Sequence, residues 1–296
     1  MTGRLVAAGL LVYADGMTTT ARLLASGDGW SVRDLMCTAG PATRPFEERH
    51  GAMCIAAVLR GSFQYRAAPG AALLAPGALL LGNAGTCFEC GHAHGVGDHC
   101  VSFHFDPAYF ERILAAVPGA RRLDFTRPSL PPAPALVPLL AAAETAVTNA
   151  TGTDAIGADA QLFEELGLRL AGAVVATAAG GGRSCSPGRR DERRIGAAIR
   201  RLEQAEETIP LAELARDAAM SPFHFLRTFR RVAGVTPYQF VLGERMRRAA
   251  VRLSRTDEPV SAIAYDAGFG DLSTFNRRFR RVMGASPTVY RRGGSP

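Results

Sequence analysis

The 296-residue chain has no lysine, a single tryptophan and only six cysteines. All 34 of its cationic side chains are therefore arginines. No apolar run approaches the roughly 18 residues of a membrane-crossing helix, which excludes a helical span. Six cysteines without the dense spacing of secreted disulfide frameworks favour a reducing, cytoplasmic setting. The opening "RLVAAGLLVY" is followed by Asp15 and no small-residue cleavage pattern, so it is expected to form a strand or helix rather than a signal peptide. Hydrophobic residues at 47% and charged residues at 21% exclude a disordered chain, and the length suffices for two domains with separate cores.

The charge is unevenly distributed. Residues 1–180 hold 12 Arg against 15 acidic residues, a net of −3, whereas residues 181–296 hold 22 Arg against 12, a net of +10. A basic C-terminal third points to a polyanionic partner, because guanidinium forks match phosphate oxygens. The stretch "AGGGRSCSPGRRDE" (179–192) reads as a linker, with Cys185 exposed in it. It divides the chain into domains expected at 1–178 and 193–296.

After the linker the sequence repeats itself. Ala215 and Ala218 match Ala264 and Ala267; Phe225, Arg227, Phe229, Gly234 and Pro237 match Phe275, Arg277, Phe279, Gly284 and Pro287 about fifty residues later. Each copy reads as helix, tight turn, helix. Ser221 and Asp271 suit N-caps, the phenylalanines four apart suit a buried face, and Gly234 and Gly284 suit helix ends. This is helix-turn-helix logic, in which the second helix enters the DNA major groove. A plain helical repeat is the alternative, though two copies are few for a solenoid.

Residues 195–292 resemble the DNA-binding domain of the AraC/XylS family, two helix-turn-helix units joined by a long helix, here expected from Pro237 to about Leu253. The resemblance implies base-reading positions at Phe223, Leu226 and Arg227, flanked by Pro222 and His224, and at Leu272, Ser273, Asn276 and Arg277. Arg230, Arg231, Arg280 and Arg281 supply phosphate-contact charge. Leu226 departs from a hydrogen-bonding residue but can touch a thymine methyl. The partners implied are double-stranded DNA, a small effector and RNA polymerase. The isolated C-terminal domain is expected to bind DNA by itself, each chain spanning two successive major grooves.

The N-terminal half shows short strands from Trp30 to about Phe105: two around Gly61, and one entered through Pro76-Gly77. Helical stripes follow at Leu136, Leu139, Leu140, Ala143 and Val147, and at Leu162, Phe163, Leu166, Leu170 and Val174. They form a helical hairpin that closes the core or, through residues 136–178, joins a homodimer. The half resembles the cupin-like sensor domain often joined to these readers. The expected fold class is α+β: a cupin-like β-barrel with a helical hairpin, then an all-α double helix-turn-helix.

"TCFECGHAHGVGDHCVSFHF" (86–105) holds three of the cysteines and four of the six histidines. Read as a hairpin turning at Ala93 to Asp98, it offers Cys87, Cys90, His92, His94, His99 and Cys100 as ligands, with Cys90, His92 and Cys100 the favoured set and zinc or another soft ion the favoured metal. The usual cupin pattern of two histidines and a glutamate is not matched, so that family's ligands do not transfer. A thiol redox switch and a plain core with soft side chains are the alternatives. The chain so read is a DNA-binding regulator and not an enzyme; a metal-dependent cupin-type enzyme or a sacrificial-thiol DNA repair protein is the competing class.

Overall fold

The computed structural model describes residues 4–6, 10–12, 18–45, 47–93, 95–118, 123–150, 160–179, 188–205 and 207–293. Its strands are β1 (Arg4–Val6), β2 (Leu10–Val12), β3 (Thr18–Gly27), β4 (Trp30–Cys37), β5 (Glu47–Arg49), β6 (Met53–Gly61), β7 (Phe63–Ala67), β8 (Gly70–Leu74), β9 (Leu79–Gly82), β10 (Cys87–Gly91), β11 (Asp98–Phe105) and β12 (Ser129–Leu130). They form two antiparallel sheets, ordered β1-β2-β3-β4-β11-β6-β9-β12 and β5-β10-β7-β8. The N-terminal domain is thus β-rich, as expected.

Side chains of the larger sheet alternate between two destinations. Val32, Met53, Ile55, Ala57, Leu59, Val101, Phe103 and Phe105 face the helices α1 (Pro107–Ala116), α2 (Val137–Asn149) and α3 (Ala160–Ala179). Cys54, Ala56, Val58, Leu80 and Cys100 face the smaller sheet, meeting Phe63, Tyr65 and Leu74. Both faces are covered, which explains why "MCIAAVL" is apolar at every position rather than every second one. Gly61, at φ 75°, turns the chain from one sheet into the other, so the strands on either side of it pair with different neighbours.

The predicted stripes Leu136, Leu140, Ala143, Val147 and Phe163, Leu166, Leu170, Val174 are buried against that sheet. Leu162 and Leu168 stay exposed on α3.

The C-terminal domain is all helical: α4 (Arg189–Gln204), α5 (Leu211–Asp217), α6 (Pro222–Ala233), α7 (Pro237–Arg255), α8 (Val260–Asp266), α9 (Leu272–Met283) and α10 (Pro287–Arg291). Each of its two units has its own core. Ile195, Ile199, Leu214, Ala215, Phe225, Phe229 and Phe240 form the first, joined by Leu73 and Ala75 of the barrel. Met246, Leu253, Ile263, Ala264, Phe275, Phe279 and Met283 form the second, joined by Val137 and Ala141 of α2. Both units therefore rest on the N-terminal domain.

The turn of the second unit uses Gly268 at φ 78°, whereas the matching position of the first is Ala219 at φ 50°. A Cβ in the left-handed region costs roughly 1–2 kcal/mol. Ala219→Gly is expected to raise stability by about 0.5–1 kcal/mol once glycine's extra unfolded-state entropy is subtracted. Chemical denaturation of the two proteins checks it, and an unchanged or lower midpoint would refute the strain.

Candidate functional sites: recognition helices and barrel cavity

Helices α6 and α9 are built alike. The Ser221 hydroxyl accepts a hydrogen bond from the His224 backbone N–H at 3.3 Å, and the Asp271 carboxylate accepts from Thr274 N–H at 2.7 Å. Each helix ends on a left-handed glycine, Gly234 or Gly284. Phe225, Thr228 and Phe229 turn inward in the first, and Phe275 and Phe279 in the second. Pro222, Phe223, His224 and Arg227 are then left exposed and Leu226 half-buried; Leu272, Ser273, Asn276 and Arg277 are exposed at the matching places. Phe223 is 76% exposed, unusual for so large an apolar side chain, and it stands on the first turn of α6.

The cationic positions differ. Arg230, Arg280 and Arg281 are exposed. Arg231 is held by Asp191 of α4, so it ties α6 to α4 as much as it offers charge. Helix α7 begins with a capping box, Thr236 and Gln239 exchanging hydrogen bonds, and its 19 residues extend about 28 Å at 1.5 Å per residue.

The second site lies inside the barrel. A cavity of about 600 Å³ opens between the sheets, lined by Cys37, Cys54, Cys90, Cys100, His50, His92, His104, Asp98 and the arginines Arg33, Arg44 and Arg49. The hairpin expected from residues 86–105 does not form. Strand β10 pairs with β5 and β7, and β11 with β4 and β6, so the two segments lie in different sheets. The residues between them cross the barrel instead of making a tight turn.

The crossing brings Cys90 from one sheet and Cys100 from the other to the same cavity wall, with His92 beside them. Cys87 and His99 are not part of that wall. Cys87 is absent from the cavity lining, and His99 pairs with Asp34 at 2.6 Å. His94 lies outside the described residues. Two groups outside the expected ligand set take their places. Asp98 Oδ1 meets His92 Nε2 at 2.5 Å, and its other oxygen accepts from the Cys100 thiol at 3.3 Å. Cys37, at the end of β4, has its sulfur within 4.8 Å of the ligand atoms of both His92 and Asp98. Only the three-dimensional pairing of β4 with β11, Cys37 opposite Asp98, signals it.

The electrostatics divide the cavity. Burial opposes a charge on His92, but hydrogen bonds to Asp98 and Cys37 and their negative charge hold its pKa up at about 9. Burial, reinforced by Asp98, pushes the Cys90 and Cys100 thiols well above their ordinary value, and Cys54 is pushed up to about 12 by burial despite Arg33. His50 and His104 go the other way, to about 4, because burial disfavours their charged form. His50 donates to or accepts from the Tyr65 hydroxyl at 2.8 Å and stacks on Phe88. One end of the cavity therefore presents thiols, an imidazole and a carboxylate to a cation, while Arg33 stands exposed on β4 further along the same sheet face.

Comparison with known proteins places both regions. A model described as a helix-turn-helix domain matches residues 214–293, and one described as an AraC-like ligand binding domain matches residues 38–166. The regulatory protein ada of Salmonella typhimurium is 40% identical over 101 residues, covering 34% of this chain and 28% of that protein. An HTH-type transcriptional regulator of Mycobacterium tuberculosis is 45% identical over 84 residues, 28% of this chain and 32% of the relative. The chain thus spans about a third of the length of these relatives. Among solved structures, the DNA-binding domain of AdpA in complex with a target DNA is 31% identical, covers 34% of this chain and 91% of that one, and superposes with a TM-score of 0.32.

Proposed function

We propose that this chain, which joins an AraC-like ligand-binding domain to a paired helix-turn-helix domain and so belongs with the AraC-type regulators, acts as a sequence-specific transcription regulator. The observation that carries the reading is the duplicated recognition helix. Two capped helices present Arg227 and Arg277 outward at equivalent places, on cores built from equivalent phenylalanines. The helix-turn-helix docks such a helix in the major groove, and an arginine there pairs bidentately with guanine. Double-stranded DNA is the partner, bound across two successive major grooves about 34 Å apart. RNA polymerase and a second copy of the chain are the further partners, the copy meeting it through the α2–α3 segment where Leu162 and Leu168 are exposed.

The barrel cavity is the receiving site for the signal. Its size suits a small ligand, and its cysteine and histidine wall suits zinc or another soft ion. A thiol-reactive oxidant is the less favoured signal, because the nucleophile in such chemistry is the thiolate, and Cys90 and Cys100 are held protonated by burial. The chain is in this reading a regulator rather than an enzyme.

Selection of binding sites from random DNA by the full chain, followed by footprinting, tests the reading. A footprint over two grooves on one face is expected. Arg277→Ala is expected to weaken the selected site by about 1–3 kcal/mol and to relax preference at one position. Arg281→Ala, at a phosphate-contact position, is expected to weaken all sequences alike and to flatten the salt dependence. Selection that yields no consensus at moderate salt would remove the proposed activity.

A further inference from the structure

We propose that Cys37, His92 and Asp98, with Cys100 beside them, are the ligands of a zinc-class divalent cation, and that helix α4 reads the occupancy of this site for the first helix-turn-helix unit. The proposal rests on the regulator reading above and gives its signal a receiving site and a route.

The donor set comes first. One sulfur, one imidazole nitrogen and one carboxylate oxygen from Cys37, His92 and Asp98 lie within 4.8 Å of one another, the residue types and number of a three-ligand zinc site. A thiolate and an imidazole select such an ion over magnesium or calcium, which take oxygen ligands. The surroundings hold the donors in place. The Ala39 N–H points to the Cys37 sulfur at 3.4 Å, and the Gly97 N–H bonds Ala39 O at 2.7 Å, clasping the end of β4 to the 92–98 segment. The His92 ring stacks on Phe63 at 5.7 Å. The Cys100 thiol donates to the second Asp98 oxygen at 3.3 Å and so steadies that carboxylate from outside the cluster. Such supporting contacts orient metal ligands as much as the ligands themselves do. Cys90 stands on the opposing sheet and closes the wall.

The route follows from what touches this segment. Asp98 sits opposite Gly61 in the ladder, and the Gly61 N–H donates to the Glu203 carboxylate of α4 at 3.1 Å. Gln64, next to Phe63, donates to Glu192 of α4 at 2.6 Å. Gly95 lies against the Arg200 side chain, where a Cβ would come within 3.1 Å of it. Residues 192, 200 and 203 are spaced to share one face of a helix. On the adjoining stripe of α4, Ile195 and Ile199 lie in the core with Phe225 and Phe229 of the first recognition helix. One helix therefore touches both the rim of the site and the first helix-turn-helix unit, along neighbouring stripes.

Binding must change this contact. His92 Nε2 and Asp98 Oδ1 now touch at 2.5 Å. Tetrahedral zinc between them, with bonds of about 2.0–2.1 Å, needs these atoms about 3.3 Å apart. The two residues are the ends of the segment that bears Gly95 and Gly97, so opening the pair displaces the segment against α4. The contact is already imperfect: Arg200 Nη1 and Ser62 Oγ are buried without a hydrogen-bond partner. A loosened hold on α4 frees the first unit from the barrel.

The experiment uses the full chain, purified under reducing conditions and stripped with chelator. Titration with Co²⁺ is expected to give one ion per chain and a thiolate-to-metal absorption band that Zn²⁺ displaces. Cys37→Ser should abolish the band and Asp98→Asn should weaken binding at least tenfold, both variants melting as cooperatively as the parent. Zn²⁺ should raise amide exchange in residues 189–204 and change affinity for the selected DNA at least tenfold. Glu192→Ala combined with Glu203→Ala, which removes both acceptors, should keep the Co²⁺ band and lose the affinity change. Absence of ion binding, or a band untouched by Cys37→Ser, overturns the site. A bound ion that leaves both exchange and DNA affinity unmoved overturns the route. A chain that binds Co²⁺ as described yet never selects a DNA sequence would sink the regulator reading while leaving the site standing.

Discussion

Arg247→Ala is expected to destabilise the protein by about 3–5 kcal/mol, the usual cost of stripping one partner from a buried ion pair. The Arg247 side chain is 3% exposed although it lies in the polar run "ERMRR" of α7. Its guanidinium grips Glu244 with two nitrogens, at 3.1 and 2.6 Å, pairs with Glu144 of α2, and donates to Leu59 O of β6 at 3.0 Å. One side chain thus ties the DNA-binding domain to both the helices and the sheet of the sensor. Burial pushes the Glu244 carboxyl up to about 8, against the pull of Arg248, and pushes the Arg247 guanidinium down to about 9, helped by the neighbouring charges of Arg248 and Arg60. Alanine would leave two carboxylates and a carbonyl facing a void. Arg247→Lys should recover only part of the loss, because an ammonium cannot span the fork. Urea unfolding of the full chain at neutral pH measures it. A loss below about 1 kcal/mol would mean that water replaces the guanidinium and that the interface is wet.

The same residue shows which parts of this molecule a reader of the sequence could reach. The second helix-turn-helix unit was legible because its determinants are local. Asp271 caps, Phe275 and Phe279 repeat at four, and Gly284 terminates, all within fourteen residues of one another. Duplication then confirmed each feature against its counterpart. Arg247 was not legible, since its partners Glu144 and Leu59 are remote in the chain and a polar run on a helix ordinarily faces water. Likewise nothing local shows that Leu73 and Ala75 of the barrel finish the first unit's core, or that Val137 and Ala141 finish the second.

The barrel site failed differently. A Cys/His-rich segment with glycines at its centre reads as a hairpin, because sequential strands usually pair. Here Gly91 to Asp98 carries the chain from the smaller sheet to the larger, so strand register never relates Cys90 to Cys100. They meet because both occupy inward positions of facing sheets. That is why Cys90, His92 and Cys100 line one cavity while Cys87 and His99, nearby in sequence, do not. Cys37 enters from a strand paired edge to edge with β11, a relation no spacing within residues 86–105 contains. Asp98 was in view, but its role depends on being the first residue of β11, opposite both Cys37 and Gly61.

Phe279→Ala is expected to cost about 3–5 kcal/mol, the range for emptying a fully buried aromatic site. Phe279 has no exposed surface, stacks obliquely on Phe275 at 5.5 Å and meets the Tyr290 ring edge-on at 5.5 Å. Its cavity would open onto Met246, Ile263 and Met283, and also onto the neighbourhood of Val137 and Ala141, which belong to α2 of the sensor. The void therefore undermines the hold of the second unit on the barrel as well as the unit itself. Phe279→Leu, which keeps most of the volume, should cost less than half as much. The matching change Phe229→Ala removes contacts to Phe225 at 5.8 Å and Phe240 at 6.2 Å in a cluster that shares no residue with the second. Amide exchange should then separate the two variants: Phe279→Ala loosens α2, α8 and α9, whereas Phe229→Ala loosens α4, α5 and α6. Uniform loosening of all six helices by either change would show that the two units fold as one body, and that the long helix α7 transmits disorder rather than insulating one reader from the other.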